Sequence, residues 1–412
     1  MAVNVFGGIV YEEYESELVN EIPAEILKFN EMGESERCFL NGIIRYHNPR
    51  NILELGVSAG GGTVVLLNAI KDRPECRVVS VDLADAWYRD RRFPVGFIAK
   101  HYLGEGNKQW EFHTNSIAID VLEKYIKFDL VVLDTAHVHP IESLDFLMVL
   151  PFLSDDAIVV MHDISSYTYV MEPHYMLYSL RQFSNFPKLP YANRLLFDVV
   201  CANKARPCNR YCDLVDKYLP YSNIGAFQIN ADTHKYISDV FSSLEFTWGM
   251  YPDYLHRLDS FFMKHYSREN VGIFRTAARF NYLLARNDFT SHVLPPDIGY
   301  YFGCDRDTMM AKSDALDKKY SSFDNLAFYG AGQGCKFLLD FFDHWLLRLP
   351  DLIWDKNADN MEGDNISAPP RKLIRNCGVI ITLYDEDAAQ KIKSGLREMG
   401  FDSVFTAKEI FR

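Results

Sequence analysis

The sequence predicts an α/β protein: a doubly wound, mostly parallel sheet with further strands late in its order, a helical middle segment, and a second, smaller sheet domain of the same kind. Three observations carry this expectation. The stretch NILELGVSAGGGT, Asn51 to Thr63, reads as an apolar strand, an E-x-G-x-x-x-G turn made of Glu54, Gly56 and Gly60, and the start of the helix TVVLLNAIKD. From Asn51 to Asp163, apolar strand-like runs alternate with helical patterns, which implies a parallel sheet with right-handed crossovers. Near the end, NLAFYGAGQGCKFLLDFF repeats the order strand, glycine turn, helix.

Ahead of the first strand, helical patterns run from about Ser16 to Met32 and from Ser35 to Tyr46, divided by Gly33. The second places Cys38, Leu40, Ile43 and Ile44 near one face, and Pro49 ends it, so it should pack on the sheet. The second strand, CRVVSVDLAD, ends in Asp82, 26 residues after Gly56, where a carboxylate can accept both hydroxyls of a ribose. The arginine- and aromatic-rich run after it reads either as a substrate lid or as a solvated helix packed by its aromatics. WEFHTNS supplies a third strand reaching Asn115 and Ser116, followed by the helix IAIDVLEKYIK. FDLVVLD ends the fourth strand at Asp134, IESLDFLMVLPFL is helical by its apolar spacing, and AIVVMHD ends the fifth strand at His162 and Asp163.

Two β-rich runs, Ala192 to Asn203 and Asn223 to Asn230, should close the first domain. The expected boundaries are therefore 1–231 for that domain, 232–322 for a helical cap or connector, and 323–412 for the last domain. Aromatics at helical spacing in the middle segment read as core rather than as a substrate platform. In the last domain Gly330 and Gly332 open the turn and Asp355 ends the second strand, but Cys335 stands where a dinucleotide fingerprint has its third glycine, which falls instead at Gly334. A structural or partner-binding role stands there beside one that holds NAD.

Composition narrows the function. At 412 residues the chain exceeds one ordinary core, and 48% hydrophobic with 24% charged residues is that of a globular protein. A formal net charge of −13 argues against a broad phosphate-binding surface, so no nucleic-acid partner is expected. With no membrane-spanning run and no basic-apolar leader at the N-terminus, the expectation is a cytoplasmic protein, with homo-oligomerisation left open. The eight cysteines are scattered; only Cys201, Cys208 and Cys212 cluster, without the C-x-x-C pair of a zinc site.

The residues from Asn51 onward resemble the class I S-adenosylmethionine-dependent methyltransferases, whose first motif is E/D-x-G-x-G-x-G or a relaxed form; here Val57 to Ala59 separate the glycines. The resemblance implies that the late strands are antiparallel and that S-adenosylmethionine is the cofactor. It places Glu54, Gly56, Gly60 and Asp82 around that cofactor and Ser116 beside its adenine, with the glycines leaving room for the ribose and the amino-acid tail. Asp134, His162 and Asp163, at the ends of two neighbouring strands, resemble the ligand set of metal-dependent O-methyltransferases of the catechol and macrolide-sugar types, implying a divalent ion, Mg or Mn. His162 replaces the usual oxygen donor, and neutral histidine suits manganese, iron or zinc better than magnesium, so an H-D pair kept for hydrogen bonding alone is the other reading. His137, three residues after Asp134, matches the catalytic lysine of the catechol enzymes and is the candidate base; His139 is a further candidate. The last domain resembles nucleotide-binding-like domains attached to sugar-modifying enzymes. The function implied is methyl transfer to a hydroxyl of a small molecule, with a sugar or glycan precursor favoured. The alternative is a non-catalytic scaffold that retains the folds.

Overall fold

In the computed structural model the described residues are 22–104, 106–125, 127–136, 140–164, 194–205, 223–244, 252–288, 302, 304, 306–361 and 365–411. They divide into two compact units. The first comprises Met1–Trp248 with Phe261–Asn270, and the second Gly249–Ser260 with Val271–Arg412, so the helical middle is shared between the two.

The first unit is built on β1 (Asn51–Leu55), β2 (Arg77–Val81), β3 (Trp110–His113), β4 (Phe128–Leu133), β5 (Leu153–Met161), β6 (Asn203–Ala205) and β7 (Gly225–Gln228). Their order in the sheet is β3-β2-β1-β4-β5-β7-β6. The first five are parallel, and β7 runs antiparallel to both β5 and β6. Such a sheet is covered on both faces, which is why β1 and β4 are near-continuous apolar runs. The helix Glu34–His47 lays Phe39, Leu40, Ile43 and Ile44 into one core with Val64 and Val65 of the helix Gly61–Ala69 and with Ile52, Val78 and Leu130 of the sheet. At its start the Glu36 carboxylate accepts the Gly33 N–H at 2.6 Å, satisfying a donor that a helix N-terminus leaves free. Asn48, left-handed at φ 53°, ends it.

Two expectations need correction. Of the helical run predicted to end at Met32, the described part is a single turn, Ala24–Leu27; Pro23 caps its start, and residues 16–21 lie outside the described set. The run Ala192 to Asn203 is not one strand: Arg194–Val199 is a helix, and only Asn203 onward is extended. Leu196, Phe197 and Val200 are all buried there, a spacing of one and three that suits a helix face and not the period of two of a half-buried strand. Its Val and Phe content suggested β structure, and packing overrode that preference.

The second unit carries five strands, β8 (Asn325–Tyr329), β9 (Leu352–Trp354), β10 (Ile366–Ser367), β11 (Cys377–Ile381) and β12 (Val404–Thr406), all parallel in the order β10-β9-β8-β11-β12. Phe337, Leu338, Phe341 and Phe342 of the helix Gln333–His344 pack with Met309 and Tyr320 of the helix Arg306–Ser321 on one face of this sheet. Gly330, at φ 106°, makes the turn after β8. No helix among the described residues is long and apolar enough to cross a membrane.

What positions the carboxyl edge of the larger sheet is the turn after β1. Gly56 has φ 86°, and a Cβ built there would lie 1.8 Å from the Asp134 carbonyl oxygen. Both the conformation and the space exclude a side chain. Gly56→Ala should therefore destabilise the first unit by more than about 2 kcal/mol, read as a lowered midpoint in urea unfolding.

Candidate active site

The strand ends of the larger sheet are stitched together in order by backbone hydrogen bonds. The Asp82 N–H donates to His113 O (2.9 Å), Gly56 N–H to Val81 O (3.0 Å), Asp134 N–H to Leu55 O (2.9 Å), and His162 N–H to Leu133 O (3.1 Å). Five strands thus deliver their last residues to one edge, where open α/β sheets hold ligands.

On the β1–β2 side, the Asp82 carboxylate holds the glycine turn. One oxygen accepts Val57 N–H (2.8 Å) and Ser58 N–H (3.2 Å), and the other accepts Ala84 N–H (2.8 Å). Ser116 joins the same edge by donating its N–H to Asp82 O (3.2 Å), while its hydroxyl donates to Thr114 O (3.0 Å). A Cβ added at Gly56 or Gly60 would meet neighbouring chain. Gly56 faces the Asp134 backbone, and Gly60, at φ 94°, faces Gly96 and Ala99 of the segment that leads into the helix Phe97–Leu103. The space a side chain would take at these two positions is thus filled by neighbouring chain, so the turn itself requires glycine.

Glu54 lies beneath the turn, only 3% exposed, and accepts hydrogen bonds from the Thr63 hydroxyl (2.8 Å) and the Ser80 hydroxyl (2.5 Å). It therefore ties β1, β2 and the helix Gly61–Ala69 together from below. Burial pushes its carboxyl up to about 8, against the opposing pull of the two hydroxyls, so it is largely protonated at neutral pH.

On the β4–β5 side, Asp134, His162 and Asp163 converge. His162 is 5% exposed. Its Nδ1 lies 3.2 Å from Asp134 Oδ1 and 3.4 Å from Asp163 Oδ2, and its Nε2 lies 3.3 Å from Glu36 Oε2. Asp163 adopts a left-handed backbone, φ 54°, and its carboxylate accepts from the Asn223 amide. Burial works against a charged imidazole, but Asp134 and Asp163 outweigh it and hold His162 well above the usual histidine range. Glu36 is correspondingly lowered: burial alone would raise it, and the hydrogen bond and charge of His162 overcome that. Ligand atoms of Asp134, His162 and Asp163 all lie within 4.8 Å of one another. Two carboxylates and one imidazole nitrogen on the same side of the ring fit a divalent ion, manganese better than magnesium. An ion there would have to displace the Nδ1 proton, because a histidine ligand must be neutral.

His137 and His139 lie outside the described residues, as do Cys208 and Cys212. Just before them the Thr135 hydroxyl donates to Asp145 Oδ2 (2.7 Å) on the helix Ile141–Val149. Burial pushes Asp145 up to about 6. Sequence reasoning singled out neither Glu36, Asn223, Thr135 nor Asp145. For Glu36 a signal existed: an acidic residue three positions after Gly33 at a helix start is half of a capping box.

Residues 53–164 match a family model described as a methyltransferase domain. No curated protein sequence matches the chain. Similar solved structures include the O-methyltransferase TomG from Streptomyces achromogenes, involved in tomaymycin synthesis and in complex with SAM, at 17% identity, covering 54% of this chain and 100% of that one with a TM-score of 0.35. The O-methyltransferase from Bacillus cereus in complex with SAH stands at 15% identity, with the same coverage and a TM-score of 0.35. A putative caffeoyl-CoA O-methyltransferase from Staphylococcus aureus stands at 13% identity, covering 53% of this chain and 99% of that one, with a TM-score of 0.34. The matched residues run from within β1 to just past the end of β5, so the methyltransferase-domain match falls on the sheet edge that carries Gly56, Asp82, Asp134, His162 and Asp163.

The protonated Glu54 has a measurable consequence. The folded chain keeps this proton up to about pH 8, whereas an unfolded chain releases it near the ordinary value of 4.5. Between those values the unfolded state binds fewer protons, so Glu54's contribution to stability falls as pH rises across that window. Urea unfolding at pH 5, 6, 7 and 8 should show a shallower loss of stability in Glu54→Gln than in the wild type. Parallel curves would show that Glu54 is ionised in the folded protein.

Proposed function

We propose that this chain transfers the methyl group of S-adenosylmethionine to a hydroxyl oxygen of a small molecule, with a sugar or glycan precursor as the favoured acceptor. The observation that carries the reading is the convergence of Asp134, His162 and Asp163 at the ends of β4 and β5, next to a glycine turn that Gly56 packs directly against Asp134. When bound, S-adenosylmethionine supplies an electrophilic methyl on a sulfonium, and a divalent ion supplies a Lewis acid that makes a coordinated hydroxyl easier to deprotonate. Asp134 and Asp163 are the proposed carboxylate ligands, with His162 as the third. His137, by its position three residues after Asp134, is the proposed base that takes the hydroxyl proton as the oxygen–methyl bond forms and the sulfur–methyl bond breaks, leaving S-adenosylhomocysteine. Transfer of this kind needs alignment more than covalent participation by the protein. Gly56, Gly60, Asp82 and Ser116 are assigned to the cofactor, and Glu54 supports them from below. The preference for a sugar rests on the resemblance of the last domain to those attached to sugar-modifying enzymes; the five-stranded parallel sheet of the second unit is compatible with it.

Two measurements test this reading. Calorimetry with the purified, cofactor-free protein should detect S-adenosylmethionine binding. Asp82→Ala should weaken it by about 1.5 to 3 kcal/mol, because that carboxylate both fixes the turn and is assigned to the ribose. No binding to the wild type would end the proposal. Transfer of a labelled methyl group to a panel of sugars, sugar nucleotides and catechols should then fall about 10²- to 10⁴-fold in His137→Ala while donor binding persists. Turnover that survives both chelation and Asp134→Asn would remove the metal from the account.

A further inference from the structure

We propose that Glu36 is the positioning residue of this site: its carboxylate accepts the hydrogen bond from His162 Nε2–H and so leaves Nδ1 to face Asp134 and Asp163 as the third metal ligand. The inference rests on the metal reading above. Glu36 belongs to the helix Glu34–His47, far in sequence from the strand ends, yet its carboxylate reaches His162 Nε2 at 3.3 Å. The opposite ring nitrogen faces the two aspartates at 3.2 and 3.4 Å. A histidine ligand commonly donates its second ring N–H to a carboxylate, which fixes the tautomer and the ring orientation. Here the ring geometry leaves Nδ1 as the nitrogen on the ligand side.

Glu36 is itself held on both oxygens. Oε2 also accepts the Gly33 N–H at 2.6 Å, and Oε1 accepts the Asn223 N–H at 3.1 Å. The Asn223 side chain in turn donates to Asp163. One carboxylate thus connects the N-terminal helix, the end of β5 and the approach to β7, and through Asn223 it reaches a second proposed ligand. Both Glu36 and His162 are buried, so a mispaired ring nitrogen would lack water to satisfy it. Glu36 does not meet the reacting atoms; it acts through His162.

The test uses metal-stripped full-length protein and Mn²⁺ alone as the probe. Titration calorimetry should show Mn²⁺ binding by the wild type and an affinity about 10- to 100-fold weaker in Glu36→Gln, with the thermal melt of the variant close to that of the wild type. Side-chain ¹⁵N spectra of the wild type loaded with Zn²⁺, with the His162 signals identified through His162→Gln, give a readout that does not depend on the variant folding. They should show His162 protonated at Nε2 and bound to the metal through Nδ1. An unchanged Mn²⁺ affinity in Glu36→Gln, or a metal bound through Nε2, would overturn the role of Glu36 alone. A wild type that binds neither ion would overturn the metal reading and this inference together.

Discussion

The absence of a side chain at Gly56 is the constraint on which the carboxyl edge of the larger sheet depends. With φ at 86° and the Asp134 carbonyl where a Cβ would be, β1 can turn only by passing its backbone against the end of β4. That contact sets the glycine turn beside Asp134, and the hydrogen bond from His162 N–H to Leu133 O then brings the end of β5 into the same place. The glycine turn and the Asp134–His162–Asp163 cluster become neighbours because two strands have nothing between them. The burial of Glu54 under the turn, bonded to Ser80 and Thr63, keeps the following helix from drifting away from that contact.

Electrostatics shape the other half of the edge. Three carboxylates around one buried imidazole would be strongly unfavourable if unbalanced, since buried charge must be paired and hydrogen-bonded. His162 resolves this by carrying a proton, and the lowered Glu36 and raised His162 express the same attraction from its two sides. A divalent ion would offer the aspartates an alternative positive partner while leaving the Glu36 side of the ring intact.

Much of this was legible in the sequence, for reasons that local pattern can carry. Strand-helix alternation implies the five parallel strands, and the ends of those strands put Asp82, Asp134, His162 and Asp163 on one edge from sequence alone. The same logic failed at Arg194–Val199, where tertiary packing chose a helix for residues with β preference. The contacts of Glu36 with His162 and Asn223 were invisible for another reason: periodicity reports which face a residue occupies and says nothing of a partner 126 or more positions away. The acidic end of the second strand also proved less specific than its spacing suggests. In the second unit Asp355 accepts Ala331 N–H from its glycine turn at 2.8 Å and Asn357 N–H at 2.8 Å, the arrangement that Asp82 makes with Val57 and Ala84. Holding such a turn accounts for an acidic residue there, and the ribose contact proposed for Asp82 would be an added demand on the same carboxylate.

The central claim is that the methyl donor and the Asp134–His162–Asp163 cluster face each other across the turn at Gly56. It is tested most directly by the paramagnetic effect of Mn²⁺ on the ¹³C-labelled methyl of S-adenosylmethionine bound to the protein. The account predicts strong Mn²⁺-dependent relaxation of that methyl signal, lost in a variant with Asp134→Asn and Asp163→Asn that still binds the donor. A bound methyl whose relaxation is the same with and without Mn²⁺ would contradict it.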